Sequence, residues 1–479
     1  MGRKEKKNND NQKKRKNKLN RLSKFSSNSD IEKEAIELLQ ECVRTETVNP
    51  PGNEMVLAKK LQEIFEAENN PLIATKIIET VPSRGNLIAT ITGSDPDNYP
   101  CWGFASHLDV VPIESESDWK YPPFSAELVQ MEHDKFIWGR GTFDMKYIGV
   151  SQIMALFTHL REGFQPKGNI RFIFESDEER GGQEGMKILV EKYWEEVKVD
   201  CLITEGGGFK LPIGKDFAIQ VGEKGKCQTR IKATGVPGHG STPGSYDKFA
   251  LYKMVEILNK IKETKQKIYM TNEYKNTINA LSLPKIAKFL LKRKSIIKKL
   301  LAILSKATKQ PFDKFFLPMI TDTIAPTIVK CGQKENVISP YAELTLDIRT
   351  LPDHNHDFIY EKLENIIGED LFKELELSPV DEVESTTSPI NTDFYDILFE
   401  VTKSMYPGAN LVPLFDVAGT DMKYHRKKGI PCYGFSFLLK DPDLSYEDLV
   451  GMSHAPNERI SVTNLMLATE FVYRLIKRL

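Results

Sequence analysis

Three short apolar runs, each of strand length and each followed at once by side chains that can ligate a metal, constrain this chain more than any other feature. Cys101–Ser106 leads into His107, Ile170–Phe174 is followed by Glu178 and Glu179, and Cys201–Thr204 by Glu205. Another run, Asn86–Thr92, precedes them, and Met145–Glu162 carries apolar residues at helical spacing between two of the runs. Strands alternating with helices predict an α/β fold with a mostly parallel central sheet flanked by helices. The carboxyl ends of parallel strands lie along one edge of a sheet, where loops aim side chains into a common crevice. His107, Glu178, Glu179 and Glu205 are therefore expected to converge there, with Asp144 in the loop that opens the Met145 helix.

At 479 residues the chain exceeds the size at which one core usually stops growing, so two domains are expected. Residues 1–30 are Lys, Arg, Asn and Ser with few large apolar side chains, which reads as a disordered basic tail. Helical spacing at Ile31–Val43 and Met55–Phe65 opens a catalytic domain, first part 31–223. Alternation at Cys227, Thr229, Ile231 and Ala233, followed by a helical pattern over Lys248–Lys262, then announces a smaller α+β domain inserted over 224–334. The alternating strand Asn336–Arg349 is expected to return the chain to the first domain, whose second part, 335–479, includes a buried strand at Tyr433–Phe437.

Within the insertion, Lys285–Lys309 sets Ile286, Phe289, Leu290, Ile297, Leu300, Leu301 and Leu304 among nine Lys or Arg residues. The segment reads as a helix docked on its own domain with lysine stems lying over apolar surface, and a membrane-surface helix is the competing reading.

Charge and cysteine usage exclude several classes. Lys+Arg of 66 against Asp+Glu of 67 gives a net charge of −1, so the molecule is not organised around nucleic acid. Six cysteines without a CxxC pair read as reduced thiols, which argues against a thiolate metal site and for a cytoplasmic location. No apolar run approaches the roughly 18 residues of a membrane span, so no stable membrane anchor is expected.

Imidazole mixed with carboxylate, without thiolate or an all-oxygen cage, suits zinc. The local sequences sharpen this. Ser106-His107-Leu108-Asp109, Gly139-Arg140-Gly141-Thr142-Phe143-Asp144-Met145-Lys146, Asp177-Glu178-Glu179-Arg180-Gly181-Gly182, Thr204-Glu205-Gly206-Gly207 and Ser453-His454-Ala455-Pro456-Asn457-Glu458 follow one another in this order. Together, from about Ile31 to Leu479, they resemble the dinuclear zinc metallopeptidase family of aminoacylase, carboxypeptidase S, glutamate carboxypeptidase and succinyl-diaminopimelate desuccinylase.

The resemblance implies a zinc exopeptidase core carrying a ferredoxin-like lid or dimerisation domain. It implies two Zn²⁺, with Mn²⁺ or Co²⁺ as substitutes, bridged by Asp144 and held by His107 with Glu205 and by Glu179 with His454. Asp109 resembles the carboxylate that fixes the His107 tautomer. Glu178 resembles the general base, and His239 in Gly238-His239-Gly240-Ser241-Thr242-Pro243 the family's histidine donor to the oxyanion, which in dimeric members reaches the partner's site. Asn336, Arg349 and Gly419 stand near the family's substrate-carboxylate positions. Met422-Lys423 departs from the pattern, a small residue plus Arg being common there.

These residues imply an amidohydrolase acting on small N-acyl amino acids or short peptides with a free carboxylate, and they admit a homodimer through the inserted domain. A dipeptidase or aminopeptidase on the same core is the first alternative. A non-catalytic metal-binding scaffold is the second.

Overall fold

The computed structural model describes residues 29–308, 312–444, 448–449 and 451–479. The basic tail up to residue 28 and Lys309 lie outside the described residues, and the first helix among the described residues is Ser29–Arg44, which includes two residues of the expected tail.

Nine strands form the large sheet in the order β1 (Ile73–Glu79), β2 (Gly85–Ile91), β6 (Ile170–Glu175), β3 (Trp102–His107), β7 (Cys201–Thr204), β17 (Cys432–Gly434), β8 (Asp216–Glu223) and β15 (Thr386–Thr387), with β16 (Asn410–Asp416) also paired to β8. The centre, β6-β3-β7-β17, is parallel, as is β16 on β8; β1, β2, β15 and the β17–β8 contact are antiparallel. The sheet is thus mixed around the expected parallel heart. β3 and β7 are buried along their whole length because both faces are covered. The helix Tyr147–Arg161 packs against the C-terminal helix Val462–Ile476 and shares one apolar cluster with Phe104, Phe172 and Phe174 of the sheet.

A second sheet has the order β11 (Thr323–Cys331), β13 (Tyr341–Thr350), β9 (Gly225–Thr234), β14 (Leu375–Val383), all antiparallel. With the helices Ala250–Glu263 and His356–Ile367 it runs β-α-β-β-α-β along the chain, the ferredoxin-like pattern. Its strand membership corrects one expectation. The alternating strand after Asn336 pairs with β9 and β11 and does not return to the large sheet, so the small sheet extends to Val383, past the expected end of the insertion at 334. Alternating burial along β13 is the cause: one face meets the two helices in the small core of Ile231, Ile257, Leu344, Leu346 and Ile359.

Two smaller units complete the picture. β10 (Gly238–His239) and β12 (Val337–Ile338) make an exposed ribbon, and β4 (Glu127–Gln130), β5 (Lys135–Trp138) and β18 (Arg459–Ser461) a three-stranded sheet beside the His454 loop. The segment expected as one helix over Lys285–Lys309 is two, Lys285–Leu291 and Ile297–Thr308, separated by a turn. They belong to a cluster with Ala218, Val412 and Leu414 of the large sheet rather than to the small sheet's core, and the helix Asn272–Ala280 makes the contact with β16.

Candidate metal centre and cleft

Because β6, β3 and β7 are parallel neighbours, their carboxyl ends meet at one edge. His107 is the last residue of β3, Glu178 and Glu179 sit one tight turn beyond β6, and Glu205 follows β7. Asp144 approaches from the loop before the Tyr147 helix and His454 from the loop before β18. The two oxygens of Asp144 face different imidazoles: Oδ1 lies 3.2 Å from His107 Nε2 and Oδ2 3.3 Å from His454 Nε2. His107 Nε2 is 3.7 Å from Glu205 Oε1, and His454 Nε2 is 2.9 Å from Glu179 Oε2. In the two trios, His107-Asp144-Glu205 and Asp144-Glu179-His454, the ligand atoms lie within 4.8 Å of one another, and Asp144 belongs to both.

Electrostatics explains what this cluster lacks. Burial pushes Glu205 and Glu178 well above the carboxylate range, and Glu179 above it too, with neighbouring carboxylates adding to the effect for Glu205. Burial also opposes charge on Asp144, yet its bonds to His107 and His454 hold its carboxyl far below that range. Bonds to Asp144 and to Glu179 push His454 up to about 10. The acidic cluster thus favours positive charge at its centre, and a donor set of two imidazoles and three carboxylates with a shared Asp fits a pair of divalent cations.

The surroundings orient the ligands. His107 Nδ1 bonds the main-chain carbonyl of Asp109 at 2.9 Å, its distance to the Asp109 carboxylate being 3.7 Å. The tautomer is thus fixed by the backbone of Asp109. Its carboxylate accepts instead from the backbone N–H of Glu178 and of Glu179, both at 3.1 Å, and from Asn49 Nδ2 at 2.8 Å. Asp177 and His454 both hold positive φ (70° and 64°), so the turns that present Glu178, Glu179 and His454 are locally strained.

Two residues quoted in the motifs without a role are central here. Glu458 Oε1 accepts from the N–H of Phe143 (2.7 Å) and of Asp144 (3.0 Å), and Oε2 from Gly141 N–H (3.0 Å) and Arg140 Nη1 (2.8 Å). Arg140 Nη2 in turn donates to the His454 carbonyl at 3.1 Å. An Arg inside a glycine-flanked run and a Glu four residues after His454 were the available signal.

A cleft of about 690 Å³ opens over Asp144, Glu178, Glu179, Glu205 and His454. Its opposite wall carries Lys224, Lys226, Arg349 and Asp381 beside the small sheet, and Gly419, Thr420 and Lys423 after β16. Arg349 and Gly419 are thus brought to the site, although the Arg349 guanidinium is held by Asp347 at 2.7 Å and 3.2 Å. Lys423 is buried and donates to Thr420 O and Asp421 Oδ1, and Asp421 is the main cause that its ammonium stays charged against the burial around it. His239 and Asn336 are not among the cleft's lining residues. They sit together on the exposed ribbon, with Asn336 Nδ2 3.4 Å from His239 Nε2.

Comparison with known proteins agrees with this architecture. The pattern of Peptidase family M20/M25/M40 matches residues 103–478. The N-fatty-acyl-amino acid synthase/hydrolase PM20D1 of Mus musculus is 26% identical over 94% of this chain and 88% of its own length. A probable carboxypeptidase S-like 2 of Dictyostelium discoideum is 27% identical over 78% and 70%. Among solved structures, an M20 family metallo-carboxypeptidase from Sulfolobus solfataricus superposes with a TM-score of 0.69 at 18% identity, covering 93% of this chain and 98% of its own. The chain belongs to peptidase family M20/M25/M40 and is a metal-dependent hydrolase of that family.

Proposed function

We propose that the protein is a dinuclear zinc amidohydrolase that cleaves small N-acyl amino acids or short peptides with a free carboxylate. The observation that carries this reading is the pair of Asp144 oxygens, each facing its own imidazole–carboxylate partner. His107 and Glu205 would hold one ion, Glu179 and His454 the other, and Asp144 both. Mixed imidazole and carboxylate ligation without thiolate favours zinc, with manganese or cobalt as substitutes. Bound there, two such ions polarise the scissile carbonyl and make water acidic at neutral pH.

Glu178 then serves as base and acid. Burial raises its proton affinity, which suits a group that takes a proton from the attacking water and passes it to the leaving amine. Backbone bonds to Asp109 hold the turn that presents it.

A carboxylate-bearing substrate is supported by the cations of the far wall, Lys226, Arg349 and Lys423, with the backbone of Gly419 beside them. The wall's acids are already engaged. Asp381 pairs with Lys226 at 2.7 Å, Glu223 accepts from Thr420 N–H and Oγ1, and Asp416 accepts from Ala418 N–H. The PM20D1 relative, named for N-fatty-acyl amino acids, points the same way.

The exposed His239–Asn336 ribbon supports a homodimer in which each ribbon serves the cleft of a second copy. A surface suited to this exists on the small sheet. Its edge strand β11 pairs on one side only and exposes half of Ile328 and Val329, and the Ala250–Glu263 helix exposes Leu251, Tyr252 and Val255. The six free cysteines support a reducing, cytoplasmic location. No helix among the described residues is long and apolar enough to cross a membrane.

Zinc-loaded protein assayed on N-acyl amino acids, blocked dipeptides and free dipeptides tests the substrate class. Cleavage confined to substrates with a free amino terminus would overturn the carboxylate preference.

A further inference from the structure

The helices Lys285–Leu291 and Ile297–Thr308 have contrasting sides. Their inner sides bury Leu291, Ile297 and Leu301 in one apolar cluster with Tyr274 and Ile278 of the helix Asn272–Ala280, which packs on β16. Their outer sides leave large apolar groups in water. Ile286 is 71% exposed, Phe289 52% and Ile303 63%. Ile296, Lys299, Ile303 and Lys306 recur at i, i+3, i+7 and i+10, so aliphatic and basic side chains alternate along one helix face. On the first helix Ile286 and Phe289 are one turn apart, and the Arg293 guanidinium lies 4.1 Å from the Phe289 ring centre.

From Lys285 to Lys306 the chain carries eight Lys or Arg and no Asp or Glu. Single exposed aliphatic residues are ordinary on a protein surface. Four within a purely basic field are a different matter, because a charged surface of this kind gains nothing in water from bare Ile and Phe.

We infer that the outer faces of helices Lys285–Leu291 and Ile297–Thr308 dock the protein on an anionic lipid bilayer surface. Ile286, Phe289, Ile296 and Ile303 enter the boundary between headgroups and acyl chains, and the lysines meet the anionic headgroups. A polyanion such as RNA would use the same cations but leave the apolar groups without a role. The inner faces stay buried in their apolar cluster, so docking requires no unfolding. The same helical insertion ends at Thr321, whose carbonyl accepts from Lys224 Nζ at 2.7 Å, with Pro318 O accepting at 3.1 Å. The stretch that follows the two helices thus supports the cleft wall, which suits a hydrolase of amphiphilic acyl amides. The docking itself does not depend on that substrate reading.

Co-sedimentation of the full chain with phosphatidylcholine vesicles, and with vesicles of phosphatidylcholine and phosphatidylserine, tests this. Binding is expected on the anionic vesicles only, weakened by salt. The triple variant Ile286→Glu, Phe289→Glu, Ile303→Glu keeps the basic tail and every lysine, and should lose about tenfold or more of vesicle partition. Its melting temperature and its hydrolysis of a water-soluble substrate should be unchanged. A second variant, Ile303→Trp, should show a blue-shifted emission on anionic vesicles. The inference is overturned if the wild type ignores anionic vesicles, if the triple variant binds them as the wild type does, or if the emission of the Ile303→Trp variant does not shift beyond that of the wild type.

Discussion

The carboxylate of Asp109 reaches past the imidazole two residues before it and accepts the backbone N–H of Glu178 at 3.1 Å. Its second oxygen takes Glu179 N–H at the same distance, so one buried side chain sets both the proposed base and a proposed ligand. Asp109→Asn turns one acceptor into a donor facing an N–H. We expect metal affinity to fall roughly 10–100-fold, as for other groups that orient ligands. Metal titration of the variant checks this, and wild-type affinity would assign Asp109 a packing role only.

Glu178→Gln keeps the shape of the side chain and removes its proton transfer. Turnover should fall by about 10²–10⁴ while two metals per chain are retained. Metal analysis beside kcat separates the two effects. Loss of metal together with activity would make Glu178 a ligand rather than the base.

Glu458 is buried and holds Arg140 and three backbone amides around Asp144. Removing it in Glu458→Ala leaves the guanidinium and those amides without their acceptor. A loss of roughly 3–5 kcal/mol is expected, as when one partner of a buried pair is deleted. Denaturant unfolding measures it, and a change under about 1 kcal/mol would show that water replaces the carboxylate.

His425 is buried beside Trp194 and donates its Nε2–H to Val197 O, 2.9 Å away. Burial is the chief cause that its pKa is down at about 4. The unfolded chain binds a proton near pH 6.5 and the folded one does not until about 4, so stability is lost as pH falls through that window. The full loss is about 3 kcal/mol. His425→Gln should flatten the change in unfolding midpoint between about pH 7 and pH 4.5, and an unchanged slope would place the acid sensitivity elsewhere.

His239 lies on the exposed ribbon, outside the lining of its own cleft. Mixing inactive Glu178→Gln protein with inactive His239→Ala protein should therefore restore about a quarter of wild-type activity, since random pairing makes half the dimers mixed and each mixed dimer has one intact site. No recovery on mixing and re-association would show that His239 acts within its own chain or not at all.

The strands that position the ligands were legible because they are buried on both faces. Such strands read as unbroken apolar runs, and His107, Glu179 and Glu205 follow them within a few residues. β13 was legible as a strand but not in its partner, since alternation shows that one face is covered and says nothing of which sheet does the covering. β16 and β11 were hidden by Pro413 and Pro326, residues that argue against a strand interior. The clasp of Arg140 by Glu458 joins positions far apart in the chain, and no local pattern records such a meeting.

The two trios around Asp144 draw on opposite sides of the small sheet in chain order. His107, Asp144, Glu179 and Glu205 precede β9, whereas His454 and Glu458 follow β14. During synthesis the first four ligands can emerge and pack while half of the centre is still unmade, and the clasp that steadies Asp144 is absent until the returning segment leaves the ribosome. A growing chain thus carries an open, carboxylate-rich notch that cannot yet grip a pair of ions, and hydrolytic competence arrives only after the small sheet has been built and the chain has come back.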